Sequence, residues 1–436
     1  MEKKPKFRPL YTGIFSVSYF IQGISQSLFT TVVPIYLVFQ MDAVEGTEIG
    51  TLGTIVLLPY IVKFIYGMLS DKFSLGKFGR RKPWIIFSSL LSGIIWVLIP
   101  FLVTKGNTLI LFMIGGMLIY LGMAIADTAV DGLILDNCPK GQLGRVQGIC
   151  WAFRSVGIIA GGPLIVAIFL LMEIPIGWVF FGYGIVVIAT SFLILIVKEI
   201  QIIENVRIID NLKTVFGKKK NWTTFSFALF NAFVDGVIFL FVSLFILFQT
   251  DFLSFKAGVI DTGAIEATES RVVYGVNAFI AFIIGVGVVI GAIIGGYIAD
   301  FVSRKLAFYS SMIITTVSLL LFLIPSPWWA LLIFAFIVGS TNGWRNSGFS
   351  AIVGQISAQY PEVDSTYYAT CNSFANIGTV IGLLLTNVIL GVLEGLDYFL
   401  IFSVLFVFMS FISNLGIIPF LFMDPKEYEL EKAIQR

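Results

Sequence analysis

Histidine is absent from this 436-residue sequence, and charge is scarce, with Asp, Glu, Lys and Arg together making up 12% of it. Without imidazole, no unperturbed side chain titrates between pH 5 and 8, so proton chemistry has to run through carboxylates. Only three cysteines occur, Cys138, Cys150 and Cys371, in or beside apolar stretches and without metal-ligand spacing. They read as small packing residues, and no metal or cofactor is expected. No nucleophile–base set or phosphate loop stands out either, so an enzyme is not expected. What the chain has instead is apolar mass: 58% of residues are hydrophobic and the mean hydropathy is +0.95. A soluble domain cannot bury that much surface, so the solvent has to be a lipid bilayer. A net charge of +2 says nothing about nucleic acid, which is not an expected partner; the distribution of charge along the chain is what matters.

Apolar runs long enough to cross a membrane cover 11–39, 48–69, 84–104, 108–136, 145–171 and 177–198. After a polar interval they resume over 223–249, 272–299, 306–324, 328–357, 366–393 and 397–422. The expected fold is an all-α membrane protein of twelve transmembrane helices, in two six-helix bundles (1–198 and 223–436) joined by a linker, 199–222. Of the 28 Lys and Arg, 22 fall at the two termini and in the loops after even-numbered helices, against Lys105, Lys256 and Arg271 in the opposite loops. Lys and Arg resist translocation, which puts both termini in the cytoplasm of a multi-pass protein of the cell membrane. The basic start MEKKPKFR lacks a small-residue cleavage site and reads as a cytoplasmic N-terminus, not a signal peptide. In the linker, Ile202, Ile203, Val206, Ile209 and Leu212 recur at helical spacing beside Lys213 and Lys218–Lys220. That pattern fits an interfacial helix on the cytoplasmic leaflet. The outside loop Asp251–Arg271 has no period and is expected to be solvated.

The halves repeat each other. Gly67 and Asp71 match Gly296 and Asp300 at an offset of 229. Cys150, Phe153, Gly157 and Gly161 match Cys371, Phe374, Gly378 and Gly382 at 221. Phe39-Gln40-x-Asp42 matches Phe248-Gln249-x-Asp251 at 209. Three such matches in the right order point to two homologous bundles. Glycines four apart line single helix faces, where backbones approach closely in lipid.

Buried charge is where function is expected. Lys63, Asp127, Asp131, Asp136, Arg154, Asp235 and Arg345 fall inside the runs, and each isolated ion at a helix centre costs about 2.5–3.5 kcal/mol. By helical rise, Lys63, Asp127 and Arg154 lie roughly 12–14 Å inside the cytoplasmic end, a depth that suggests a neutral cluster with Asp131. A salt-bridge network that only pins the half, or a snorkelling Lys63, fits the same pattern. Asp235 and Arg345 both come near the midplane, roughly 18 Å in. Asn231, Asn342, Trp344 and Asn346 surround them, and Gln22 and Gln26 sit at the positions equivalent to Asn231 and Asp235. Together these residues are expected to wall a polar cavity and hold substrate. Asp235, or the Asp127/Asp131 pair, is expected to carry the coupling proton.

The order G-x-x-x-D then G-R-R-K within Pro59–Trp84 resembles the loop between helices 2 and 3 of the major facilitator superfamily. That resemblance implies a cytoplasmic latch between the halves, built from Gly67, Asp71, Arg80 and Arg81, with Asp136 as the partner of Arg81. Asp300 and Arg304 would form its symmetric counterpart. More narrowly, YFIQGI (Tyr19–Ile24), IVKFIYGMLSD (Ile61–Asp71), ADTAVDG (Ala126–Gly132) and VQGICWAFRSVG (Val146–Gly157) resemble the folate–biopterin transporters. PYIVKF, the Asp127/Asp131/Asp136 series and the helix-5 arginine are similar to muropeptide permeases, and acetyl-CoA transporters share some of these features. The C-terminal half joins the resemblance through STYYATCNSFANIG (Ser365–Gly378). By resemblance, Lys63, Asp127, Asp131 and Arg154 are the membrane-embedded charges. The function implied is a monomeric secondary transporter that moves a polar, anionic organic solute with protons. The alternative is a transporter fold serving as a membrane assembly scaffold.

The charge count makes a direct prediction. Cysteines placed between Ser70 and Pro83 should stay unreactive toward an impermeant thiol reagent applied outside, while Gly263→Cys should react. The reverse pattern would overturn the topology.

Overall fold

The computed structural model describes residues 7–40, 43–73, 79–104, 106–138, 143–165, 175–199, 208–256, 259–261, 267–357, 359–360 and 364–429. Twelve long helical runs lie among them. The first six are α1 (9–40), α2 (46–72), α3 (Lys82–Leu102), α4 (Thr108–Asn137), α5 (143–164) and α6 (Gly177–Ile196). The second six are α7 (Lys219–Gln249), α8 (Ala267–Phe301), α9 (Arg304–Leu323), α10 (Trp328–Ser357), α11 (Asp364–Val392) and α12 (Tyr398–Leu421). Among the described residues, ten of the runs are long and apolar enough to cross a membrane. The other two, α5 and α10, carry Arg154 and Arg345. Starts are set by local chemistry. Pro9 and Pro83 open α1 and α3, where a missing N–H costs nothing. Ser303 and Asp397 cap α9 and α12 by accepting from Leu306 and Phe399 backbone amides at 3.1 and 2.9 Å.

Two of the runs pass through π-helical stretches and two are broken. α1 passes through a π-helical stretch at Leu28–Val32, and α5 through one at Ala160–Leu164. The two stretches lie side by side, since a Cβ on Gly162 would come within 2.6 Å of Ser27 Oγ and 2.9 Å of Thr31 Cβ. α2 breaks at Val62 (φ −102°, ψ 21°), three residues after Pro59. α7 breaks between Asn231 and Asp235. An apolar run shows how long a helix is, but these interruptions leave no trace in hydropathy.

The expected repeat appears as matching close contacts. A Cβ on Gly157 of α5 would stand 2.2 Å from the Phe20 carbonyl of α1, and one on Gly378 of α11 would stand 1.9 Å from the Leu229 carbonyl of α7. Only glycine lets these backbones touch.

The halves meet unevenly. At the end away from the chain termini, a single apolar core takes in Val38, Val44, Ile49 and Leu52 from the first half and Leu240, Phe248, Leu253 and Leu383 from the second. At the terminal end each half keeps a core of its own, around Phe15, Leu133 and Cys150 in one and Phe225, Phe308 and Tyr367 in the other. The far end also carries a small antiparallel sheet. β1 (Ala43–Glu45) pairs with β3 (Val259–Asp261), which pairs with β2 (Ser254–Lys256). The loop Asp251–Arg271 is therefore not wholly irregular. Its strands are three residues each, too short for a period, and one partner lies in the other half. In the linker, the helix Ile208–Phe216 buries Val215 in the second half's core, and the Phe216 ring meets Phe64 of α2 and Phe225 of α7. Ile202, Ile203, Val206 and the labelling position Gly263 lie outside the described residues.

Gly157→Ala should destabilise the α1–α5 contact by about 1–3 kcal/mol, read as a lower Tm in detergent. Gly182→Ala, whose Cβ would meet nothing within 4 Å, should leave Tm unchanged. Equal behaviour of the two would mean that the close approach is not a constraint.

Candidate functional site

Three polar clusters emerge inside or beside the helices. The first lies in the first half. Lys63, the first residue after the α2 break, forms an ion pair with Asp127 of α4, and both side chains are buried. The Lys63 ammonium also sits 5.4 Å from the Tyr60 ring centroid, where the ring quadrupole favours a cation. Gln22 of α1 stands beside the Asp127 carboxylate. Arg154 of α5 donates to Gln26 of α1 at 3.3 Å. Asp131 accepts from the Tyr19 hydroxyl of α1. The four charges are thus gathered against one face of α1, which supplies Tyr19, Gln22 and Gln26. These three are spaced i, i+3, i+7, so they share a stripe. Tyr19 was not among the expected site residues, although its place on the Gln22/Gln26 stripe marks it.

The second cluster is in the other half. Asn346 donates to Asn342 at 3.2 Å, and Asn342 donates to Asp235 at 3.0 Å. Asp235 is the first residue of the second α7 segment, where the helix dipole favours a negative charge. Asn231 is the last residue of the first segment, and its backbone carbonyl accepts from Arg345 Nη2. Arg345 is 1% exposed, and its Nε and Nη1 have no hydrogen-bond partner among the described residues. No ion pair joins Asp235 to Arg345 within 4 Å among the described residues; they are linked through the two ends of the helix break. Trp344 is turned away, its indole N–H donating to the Ala307 carbonyl of α9 at 3.1 Å. Neighbouring residues on a helix point about 100° apart, so Trp344 does not join Arg345 at the cluster.

The third cluster sits at the terminal end. Arg80 and Arg81 both pair with Asp136, at 2.9 and 3.0 Å, and Arg81 also donates to Ser70 at 3.0 Å. The carboxylate of Glu199, just beyond α6, accepts from the backbone amides of Arg80, Arg81 and Lys82 at 2.7, 2.6 and 3.4 Å. Glu429, after α12, does the same for α9, accepting from the Arg304 and Lys305 amides and the Ser303 hydroxyl, each at 2.9 Å. Arg304 reaches the Tyr428 carbonyl at 2.7 Å. A carboxylate at free helix amides gains from both hydrogen bonds and dipole.

This differs from the expected latch in two ways. Its described members lie each within one half, because each capping glutamate follows the last helix of the same bundle. Asp300, exposed at the end of α8, acts electrostatically on the Arg304 guanidinium, and Glu429 joins it there at the Arg304 amide. Gly67 faces α4, with its Cβ position 3.2 Å from Thr128. The Asp71 side chain lies outside the described part of the chain. Nothing in the local sequence announces Glu199 or Glu429, which lie over a hundred residues from the amides they cap.

Comparison with known proteins follows the same lines. The model of the Major Facilitator Superfamily matches residues 15–268 and 267–436. A probable folate-biopterin transporter 4 of Arabidopsis thaliana is 26% identical over 161 residues, which cover 36% of this chain and 32% of the relative. The match therefore spans about a third of that relative's length. Among solved structures, a point mutant of the nucleoside transporter NupG superposes with a TM-score of 0.67 at 11% identity, over 95% of this chain and 99% of that one. A D-xylose-proton symporter gives 0.64 at 14% identity, over 92% and 96%. At such identities these two likenesses show the fold alone.

Removing one partner of a buried ion pair strands the other, at a cost of about 3–5 kcal/mol, whereas removing both is often nearly neutral. Lys63→Met should therefore lower Tm markedly, and Lys63→Met with Asp127→Leu should recover most of the loss. A single variant as stable as the double would show that the pair is not tightly held.

Proposed function

The chain belongs to the Major Facilitator Superfamily, and from that premise we propose that it is a proton-coupled symporter of a polar organic anion. It is a multi-pass membrane transporter and not an enzyme. The observation that carries the finer reading is Arg345, a cation buried in the bundle with two nitrogens unpartnered. An ion so placed is costly unless something completes its coordination. A carboxylate or phosphate on the substrate would do so, and would compete with the Asn231 carbonyl for the guanidinium. The partial likeness to a folate-biopterin transporter supports a pterin- or folate-like anion; the motifs similar to muropeptide permeases support a muropeptide-like one.

Asp235 lies on the other side of the same helix break. A carboxylate that loses the field of a neighbouring cation to an anionic ligand takes up a proton more readily. Anion and proton then load together, which is symport. Transport proceeds by alternating access between the two halves, with a monomer of two bundles as the working unit. The charge count supports cytoplasmic termini in the cell membrane. With that orientation, the shared core and the β1–β3 ladder join the halves at the outside, and on the inside each half keeps its own apolar core.

The test uses proteoliposomes and a panel of labelled folates, pterins and muropeptides. Asp235→Asn should abolish pH-driven accumulation while retaining substrate exchange, and Arg345→Gln should lower uptake of the anionic cargo at least about tenfold, the loss of one charge-assisted contact. Asp127→Asn should keep driven uptake. If Asp235→Asn accumulates substrate fully and Asp127→Asn does not, the proton carrier is in the first half.

A further inference from the structure

Asp235, Asn342 and Asn346 form a hydrogen-bonded chain that has a direction. Asn346 Nδ2 donates to Asn342 Oδ1 at 3.2 Å, and Asn342 Nδ2 donates to Asp235 Oδ1 at 3.0 Å. The two asparagines are spaced i, i+4 and share one face of α10. The direction follows from charge. A carboxylate can only accept, so Asn342 turns its N–H2 toward Asp235 and leaves its oxygen for Asn346. Asn346 therefore turns its own nitrogen toward Asn342, and its second N–H stays on that side of the planar amide. The side it turns away is Oδ1, to which nothing donates among the described residues, on a side chain that is half-buried. Arg345 of α10 acts on Asp235 through its charge, and among the described residues no other titratable side chain does. α11 meets the same break through Thr379, which is neutral and donates to the Ala232 carbonyl at 3.3 Å.

Protonation of Asp235 reverses the demand. A neutral carboxyl carries an O–H that needs an acceptor, and Asn342, the side chain already touching it, offers N–H2. A half-turn of Asn342 about its last torsion exchanges Oδ1 and Nδ2, and that torsion is broad and two-fold. Asn342 Oδ1 then accepts the new O–H. Its N–H2 now faces Asn346, which makes the same half-turn to offer Oδ1. Two hydrogen bonds are exchanged for two others. Each amide keeps both of its protons, and the one proton that moves passes from water to Asp235. We propose that Asn342 and Asn346 are a polarity relay, in which protonation of Asp235 changes the atom that Asn346 turns toward the substrate from oxygen to N–H2. The ionised site presents an acceptor, which repels the oxygens of an anion, and the protonated site presents a donor, which holds them. Asn346 touches the anion, and Asn342 is the positioning residue between it and Asp235. The inference rests on the reading of Asp235 as proton carrier, and adds the step that makes the anion wait for the proton.

The test needs protons and no cargo. Acid-minus-alkaline infrared difference spectra are recorded on the full chain in lipid, with natural asparagine and with asparagine isotope-labelled at the side-chain carbonyl. Acidification should bring up a carboxyl band that Asp235→Asn removes. With it should come a label-sensitive shift of an asparagine carbonyl to lower frequency, because Asn342 Oδ1 exchanges an amide N–H for a carboxyl O–H. Asp235→Asn and Asn342→Leu should each abolish that shift, and Asn346→Leu should reduce it. Both leucine variants should keep the Asp235 band, and the Tm of each variant reports folding separately. A carboxyl band unchanged in Asp235→Asn places the proton elsewhere and sinks the symport reading as well. An Asp235 band without a label-sensitive shift, or a shift that survives in both leucine variants, overturns the relay alone.

Discussion

A bilayer offers no water to an exposed amide or carbonyl, so every interruption of a helix here has to be completed by protein. This constraint explains where the polar residues are. The α7 break exposes the Asn231 carbonyl, and Arg345 reaches it across from α10. The π-helical turn of α1 displaces the Thr31 carbonyl, and Asn277 of α8 donates to it at 2.7 Å. Some of the isolated polar side chains of an otherwise apolar chain are those that complete backbone groups.

The two halves are built alike but use charge differently. Each has a glutamate from just past its last helix over the amides that open its third, and each brings its first and fifth helices together through glycine. In the first half a cation and an anion neutralise each other directly, Lys63 on Asp127. In the second, Arg345 and Asp235 occupy opposite ends of a helix break with amides between. A closed ion pair resists change because each partner strands the other. Separated charges, each held by neutral groups, exchange partners at lower cost.

The helices, their order and the duplication could be read from the sequence because they rest on long apolar runs and on glycines at fixed spacing. Among the described residues, observed ends agree with those runs to within a few residues; Lys219–Gln249 replaces 223–249 and Ala267–Phe301 replaces 272–299, while the expected end of the fifth run, 171, lies outside the described residues. Buried charges were legible too, since an ion in an apolar run is conspicuous. Their partners were not. Glu199 and Glu429 look like ordinary loop residues until the chain folds, and the breaks at Val62 and at 232–234 interrupt runs whose hydropathy is continuous. Trp344 was misplaced for a related reason, because adjacency in sequence to Arg345 is not adjacency on a helix face.

The α2 break joins these themes. In an unbroken helix the Phe64 amide would donate to the Tyr60 carbonyl four residues back. Here Phe64 N–H donates to Ser373 Oγ at 3.3 Å, and the Tyr60 carbonyl accepts from Asn376 Nδ2 at 3.1 Å. Both groups of one missing helical bond are satisfied by α11, from the other half, by two side chains spaced i, i+3. Ser373 and Asn376 thus stand in for the lost bond across the contact between the halves. Each such bond contributes about 0.5–1.5 kcal/mol, and leaving a buried amide or carbonyl unpaired costs more. The break is therefore tolerable because α11 completes it, and Lys63, the residue that follows it, is held in turn by Asp127.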